Sequence, residues 1–331
     1  MNLQERLIAF SELGKKLDFI PENTKIQARN QNKWFTKESI EQAFKGIKSY
    51  LQSEKLENWI KNYPVLNTTP QKVAVVMAGN IPLVGFHDFL CVLMSGHILL
   101  ARPSSEDNIL IRAVADLLVE IEPKFAEYIY FVDKVNEADK VIATGSDNTA
   151  RYFAYYFAKK PHIIRKNRVS IALLNGKESK EDLQALGEDI FSYFGLGCRN
   201  VAKLYVPKDY PFTDFFEAIE SFAEVKNHHK YFNNYEYNKA IYLLKPIPHL
   251  DNGFVLLSES KEVASPVACL YYEYYENEWD LQEKIAIHKE KIQCIVSQNA
   301  SWNNSYAFGQ AQKPELSDYA DGIDTIQFLV Q

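Results

Sequence analysis

Lys72-Val-Ala-Val-Val-Met-Ala78, followed at once by Gly79-Asn80-Ile81-Pro82, is the stretch from which the fold can be read. A continuous apolar run rich in β-branched residues marks a strand buried on both faces of a parallel sheet. Glycine, asparagine and proline directly after it mark a tight turn. Toward the carboxyl terminus the same grammar repeats. Residues 83–95 read as a buried helix, 97–101 as a strand, and 105–121 as an amphipathic helix with Ile109, Val114, Leu117, Leu118 and Ile121 inward, capped by Ser104 with Asp107 closing the box. Strands follow at 128–132, 140–144 and 169–174, with a helix at 147–159. Such alternation predicts an α/β fold with a doubly wound sheet.

Outward to the amino terminus the pattern changes. Residues 1–66 are polar and helical, with Ile40, Phe44, Ile47, Tyr50 and Leu51 at helix spacing. Asn62-Tyr-Pro64 and Asn67-Thr-Thr-Pro70 punctuate the chain and set a boundary near residue 70. A second unit starts near residue 180, with a helix to Phe194, the loop Gly195-Leu-Gly-Cys198 and a strand at 202–206. Further strands are expected near 253–257, 267–274 and 293–297, and a helix at 278–289. The expected division is a helical segment at 1–70, a dinucleotide-binding domain at 71–179, a catalytic domain at 180–310 and a carboxyl-terminal segment at 311–331. In that last segment Ile326–Val330 reads as a strand for sheet addition or oligomerisation.

At 331 residues, 47% hydrophobic and 24% charged, the chain has the makings of large packed cores and is neither fibrous nor disordered. A formal charge of -6 offers no general attraction for nucleic acid. Cys91, Cys198, Cys269 and Cys294 are widely spaced with no C-x-x-C pair, which argues for reduced thiols, a cytoplasmic protein and no zinc site. The apolar run Phe89–Ala101 is broken by Ser95, Gly96 and His97 and is too short to cross a bilayer.

Four positions offer chemistry. Cys198 follows glycines at 195 and 197, which let the backbone bend and present the thiol; a buried structural cysteine is the plain alternative, and that is the reading for Cys91, Cys269 and Cys294. Asn80 lies in the turn after the first strand, where its amide suits a developing oxyanion or simply an ordinary turn. Gly145-Ser146 closes a strand and opens a helix, an arrangement that binds phosphate as readily as it caps. Arg102 and Ser104 stand at another strand end, with a guanidinium able to grip a phosphate or to sit in solvent. No G-x-G-x-x-G is present, and His87, His228 and His229 lack ligand spacing, so no metal is expected.

In order, AGNIPLVGFHD (78–88), ARPSSED (101–107), ATGSDNTARYF (143–153), FGLGCRNVAKLYVP (194–207) and EVASPVACL (262–270) resemble the aldehyde dehydrogenase superfamily, and within it the acyl-CoA reductases typified by the fatty-acid reductase of bacterial luminescence. The resemblance runs over roughly 71–331 and leaves the first 70 residues unexplained. It implies that Cys198 is the nucleophile and that the Asn80 side chain and the Cys198 N–H form the oxyanion hole. It also implies that Gly145 and Ser146 meet the cofactor pyrophosphate, that Arg102, with Ser104, contacts the adenosine side, and that Glu262 holds the nicotinamide ribose. Arginine where many members have lysine points to NADPH, with NADH as the other candidate.

One departure matters for chemistry. Aldehyde-oxidising members carry a glutamate base before the nucleophile, whereas this chain reads Ile163-Ile-Arg-Lys-Asn-Arg-Val-Ser170. Without a base to activate water, an acyl-cysteine should hydrolyse slowly, which favours reduction of an acyl-CoA to the aldehyde. An acyltransferase or thioesterase using the same cysteine, and a silent scaffold subunit that docks an acyl-activating or acyl-transfer protein, are the rival readings. The resemblance further implies a homo-oligomer.

Overall fold

The computed structural model describes residues 1–63 and 69–331. Pro64, Asn67 and Thr68, part of the punctuation behind the expected boundary near 70, lie outside the described residues. The chain divides into two compact units, one made of Met1–Asn167 with Glu315–Gln331, the other of Arg168–Pro314.

The first unit opens with helices α1 (Leu3–Lys16), α2 (Glu22–Gln31), α3 (Lys37–Tyr50) and α4 (Ser53–Ile60). Strand β1 (Lys72–Val76), helix α5 (Phe86–Met94), β2 (Ile98–Arg102), α6 (Ile109–Ile121), β3 (Ile129–Phe131), β4 (Lys140–Thr144), α7 (Asp147–Tyr156) and β5 (His162–Arg165) follow. The sheet is parallel throughout in the order β3-β2-β1-β4-β5. β1 is buried on both faces, as its composition requires: Val73 and Val75 enter one core, while Ala74 and Val76 enter another with Val141, Ala143 and Phe153. The amino-terminal helices are not a separate body. Phe10, Leu13, Phe44, Leu56 and Trp59 share the core of Val73, Phe89 and Leu118, so the expected 1–70 segment is part of the same unit as the sheet.

The second unit runs β6 (Val169–Leu173), α8 (Lys180–Phe191), β7 (Val201–Pro207), α9 (Phe212–Ile219), α10 (His229–Leu244), β8 (Leu250–Asp251), β9 (Leu256–Glu259), β10 (Cys269–Tyr275), α11 (Glu278–Ile287), β11 (Ile292–Ser297) and β12 (Tyr306–Ala307). Its seven strands lie in the order β12-β11-β6-β7-β10-β9-β8, with only β8 antiparallel. The boundary near 180 moves accordingly. β6 pairs with β7 and β11, so residues 169–173 belong to the second sheet and not to the first unit.

The chain then returns to the first unit and ends in helix α12 (Thr325–Val330), where a strand was expected. Asp324 caps its first turn by accepting from Gln327 N at 2.8 Å. At its other end Lys140 Nζ donates to the carbonyls of Phe328 and Leu329 at 3.1 and 2.8 Å, and His97 Nε2 binds Leu329 O at 3.0 Å. A cation at a helix carboxyl end satisfies carbonyls the helix leaves open. That capture decides helix over strand. Among the described residues no helix is long and apolar enough to cross a membrane.

Candidate active site

In the first unit all neighbouring strands are parallel, so the exits of β1, β2 and β4 share one edge of the sheet. Val76 is level with both Arg102 and Ala143. The chain leaves β1 toward β2 and re-enters on the other side as β4, which makes the gap between β1 and β4 the switch point where such sheets open a crevice. Asn80 follows β1, Arg102 closes β2 with Ser104 just beyond, and Gly145-Ser146 follows β4. Asn80, Arg102 and Ser146 are exposed; Ser104 and Gly145 are half-buried. This unit therefore gathers five of the seven sequence-predicted residues on one edge.

Gly145 is needed for packing, because a Cβ there would stand 2.8 Å from Thr149 Cγ2 and 3.4 Å from Phe153 Cε2. Ser146 caps α7, its hydroxyl accepting from Thr149 N at 3.4 Å. A switch point, a capped helix start and an exposed guanidinium are groups that could hold the phosphates of a dinucleotide.

The expected Ser104–Asp107 capping box does not form. α6 begins at Ile109 behind Asn108, and Ser104 Oγ accepts from Glu106 N at 3.2 Å within the preceding turn. Asp107 points inward instead. Its Oδ2 accepts from Leu83 N at 2.6 Å, in a turn where Leu83 is left-handed at φ 56°. Asp107 is 4% exposed and its Oδ1 has no hydrogen-bond partner among the described residues. Burial pushes its carboxyl up to about 7, against the smaller opposing effect of the Leu83 N–H. On the other flank of Asn80, buried Asn32 donates from Nδ2 to the Gly79 carbonyl at 2.9 Å. Asn80 is thus carried on a loop held at both ends.

The second unit presents Cys198 as the exposed thiol; Cys91, Cys269 and Cys294 are buried. Burial pushes the Cys91 thiol well up and that of Cys269 up to about 11, which leaves both unreactive. Helix α8 ends at Phe191, short of the expected Phe194, because Tyr193, Phe194 and Gly195 are all left-handed, at φ 50°, 59° and 76°. Cys198 lies just beyond, ahead of β7. Ser170 Oγ donates to the Cys198 carbonyl at 3.1 Å, and Asn200 donates and accepts around the same loop. Sequence reasoning passed over both residues; the only sequence signal for Asn200 is a polar side chain entering a buried strand.

Glu262 lies exposed on the loop after β9, its N–H donating to Ser260 Oγ at 3.1 Å. The preceding carbonyl, of Lys261, accepts from Lys203 Nζ at 3.2 Å and pairs with His288 Nε2 at 2.8 Å. Lys203 is fully buried on β7 and ion-paired with Glu273, and it fixes the loop from below. Asp189, nine positions before Cys198, is a buried carboxyl. Both its oxygens accept backbone donors, from Gly309 at 2.7 Å and Ala311 at 2.9 Å, so it holds structure and is not placed as a base. His87 is ringed by Tyr50, Trp59 and Tyr319, and His228 caps α10 against the Phe194 ring. Among the described residues no group of three His, Cys, Asp or Glu is placed to hold a metal ion.

Two sheets of this order define an aldehyde-dehydrogenase-type fold, and solved structures agree. An aldehyde dehydrogenase from Bacillus cereus in complex with NAD+ is 12% identical, matches 90% of this chain and 72% of its own, and superposes with a TM-score of 0.65. An NADP-dependent enzyme from E. coli is 13% identical over 94% of this chain and 76% of its own, with a TM-score of 0.70. HpcC from Thermus thermophilus is 12% identical over 90% and 70%, with a TM-score of 0.66. At these identities the likeness is one of fold. The family is shown by sequence: the model for Acyl-CoA reductase (LuxC) matches residues 5–224, and the chain belongs to that family of oxidoreductases. The match includes the amino-terminal helices, which the motif resemblance had left out. No curated protein matches the sequence.

Proposed function

We propose that this protein reduces a fatty acyl-CoA to the aldehyde with NADPH through an acyl-Cys198 thioester. The observation that carries the reading is the exposed Cys198 thiol on a glycine-flanked, multiply held loop ahead of a buried strand, in a chain of the acyl-CoA reductase family. In this reading the Cys198 thiolate attacks the acyl carbonyl carbon, the oxyanion is stabilised by the Cys198 N–H and the Asn80 carboxamide, and collapse expels CoA as its thiolate. Arg102, Ser104, Gly145 and Ser146 bind the phosphates of the cofactor, and Glu262 orients its nicotinamide ribose. A bound nicotinamide supplies the hydride that the thioester carbon accepts. The resulting hemithioacetal takes up one proton overall and releases aldehyde, which returns the Cys198 thiol.

Residues 162–170 contain no carboxylate and both Asp189 oxygens are committed to backbone donors, so neither supplies a base to direct water at the thioester. This favours reduction over hydrolysis. Arg102, whose fork of donors suits a 2′-phosphate, supports NADPH, and three buried reduced thiols suit a cytoplasmic enzyme. The test is cofactor oxidation by the purified protein across acyl-CoAs of increasing length, beside Cys198→Ala. Acyl-CoA-dependent NADPH oxidation lost in the variant is the expected result. Acyl release without cofactor oxidation would establish the transferase or thioesterase reading instead.

A further inference from the structure

We infer that Asn200 is the positioning residue of the nucleophile, a side chain that never meets substrate yet fixes the peptide on which Cys198 is presented. The inference rests on Cys198 being the nucleophile. Its basis is the number of different main-chain groups that one buried carboxamide joins. Asn200 is 2% exposed. Its Nδ2 donates to three carbonyls at the end of α8 and the start of the turn, those of Asp189 at 3.1 Å, Ile190 at 3.3 Å and Ser192 at 2.8 Å. Its Oδ1 accepts from Gly197 N at 2.8 Å, and its own N–H donates to Gly197 O at 3.0 Å.

Those bonds bracket a backbone that would not hold its shape unaided. Tyr193 and Phe194 are left-handed, a conformation side-chain-bearing residues adopt only when surrounding contacts impose it. Asn200 ties the residue before this run, Ser192, to the residue before the nucleophile, Gly197. On the far side of Cys198, Ser170 Oγ holds the Cys198 carbonyl at 3.1 Å while also lying 3.0 Å from Cys294 Sγ. One hold acts on the Gly197 peptide and the other on the Cys198 carbonyl, so the Cys198 peptide is fixed from both sides. An amide carries two donor hydrogens, and Asn200 divides them among three acceptors; no other residue type supplies that set and an acceptor at the same length.

The test separates acylation from simple thiol reactivity. Asn200→Ala, Asn200→Ser and Ser170→Ala are compared with wild type and Cys198→Ala for the single-turnover rate of acylation, without cofactor, by the acyl-CoA consumed fastest in the length series. The same proteins are alkylated with iodoacetamide under native conditions and counted by intact mass. Folded protein labels once, at Cys198, whereas protein that has lost its cores labels at all four cysteines. The expected result is single labelling at close to the wild-type rate, with acylation slowed ~10²-fold for Asn200→Ala, as for a reacting group displaced by about 1 Å. KM for acyl-CoA should stay within about twofold, because the substrate-binding surface is untouched. The comparison is decided on whichever Asn200 variant labels once; if neither does, Asn200 supports the fold as a whole and the inference fails. Acylation within about threefold of wild type in a singly labelled variant would overturn the inference. Retained acylation in Cys198→Ala would instead overturn the nucleophile assignment on which it rests.

Discussion

Asn32, in the turn after α2, donates to the carbonyl of Gly79, the residue immediately before Asn80, at 2.9 Å, with both residues buried. Its Oδ1 in turn accepts from Trp34 N at 2.9 Å, so the carboxamide is fixed by its own chain before it reaches across. The relationship gives the amino-terminal helices a task. They pack the first sheet and hold the loop that carries the proposed oxyanion donor.

Asn32→Ala should therefore lose more activity than its fold loss explains. Removing the donor orphans a buried carbonyl, which costs about 1–3 kcal/mol. Thermal unfolding should show that decrease, and the acylation rate at a temperature well below the midpoint should fall about tenfold through misplacement of the Asn80 loop. An acylation rate equal to wild type would confine Asn32 to stability.

Asp107 makes stability depend on pH in an uncommon direction. Its carboxyl is raised from the ordinary 3.8 to about 7 in the fold, so between those values native protein holds a proton that the unfolded chain has released. Stability from this group is present at the acid end and is lost as pH rises toward 7. Asp189, also raised to about 7 by burial, acts in the same sense. Asp107→Asn keeps an acceptor for Leu83 N and removes the charge. Urea unfolding from pH 5 to pH 8 should show a flatter profile for the variant, with its advantage over wild type greatest at pH 8; parallel profiles would mean that Asp107 is not protonated in the fold.

Lys140 tests the helical ending of the chain. Lys140→Met leaves the Phe328 carbonyl without its side-chain donor and the Leu329 carbonyl with His97 alone, and hydrogen exchange at 325–330 should accelerate relative to the sheet while β4 stays protected. Unchanged exchange there would show that α12 does not depend on Lys140.

Arg102→Ala probes cofactor choice. Removal of a cation facing a 2′-phosphate should raise the KM for NADPH by about tenfold, a charge-assisted pair's worth, and leave that for NADH nearly unchanged. Equal effects on both would place Arg102 away from the 2′ position.

Much of this was legible in the sequence, for physical reasons that can be named. β1 and the turn after it could be read because Val73–Val76 is apolar on both faces, and Gly145-Ser146 because a strand end and a helix cap coincide. β5 was hidden because it contains His162 and Arg165, and the buried Arg165 is paired with Asp88 and Thr325, partners far away in the chain. α12 was misread because Ile-Gln-Phe-Leu-Val favours a strand locally, and the bonds that make it a helix come from Lys140 and His97. Asp107 was overlooked as a support because it acts on the backbone of Leu83 in another turn, and Asn200 because its bonds close a turn of left-handed residues that no local pattern encodes.

The most direct test of the central claim is the intact mass of the protein after mixing with acyl-CoA and no cofactor. The account predicts a mass gain of one acyl group, located on Cys198, absent in Cys198→Ala, and discharged on addition of NADPH with aldehyde formed in equal amount. Wild-type protein that oxidises NADPH with acyl-CoA yet never carries the acyl group on Cys198 would contradict it.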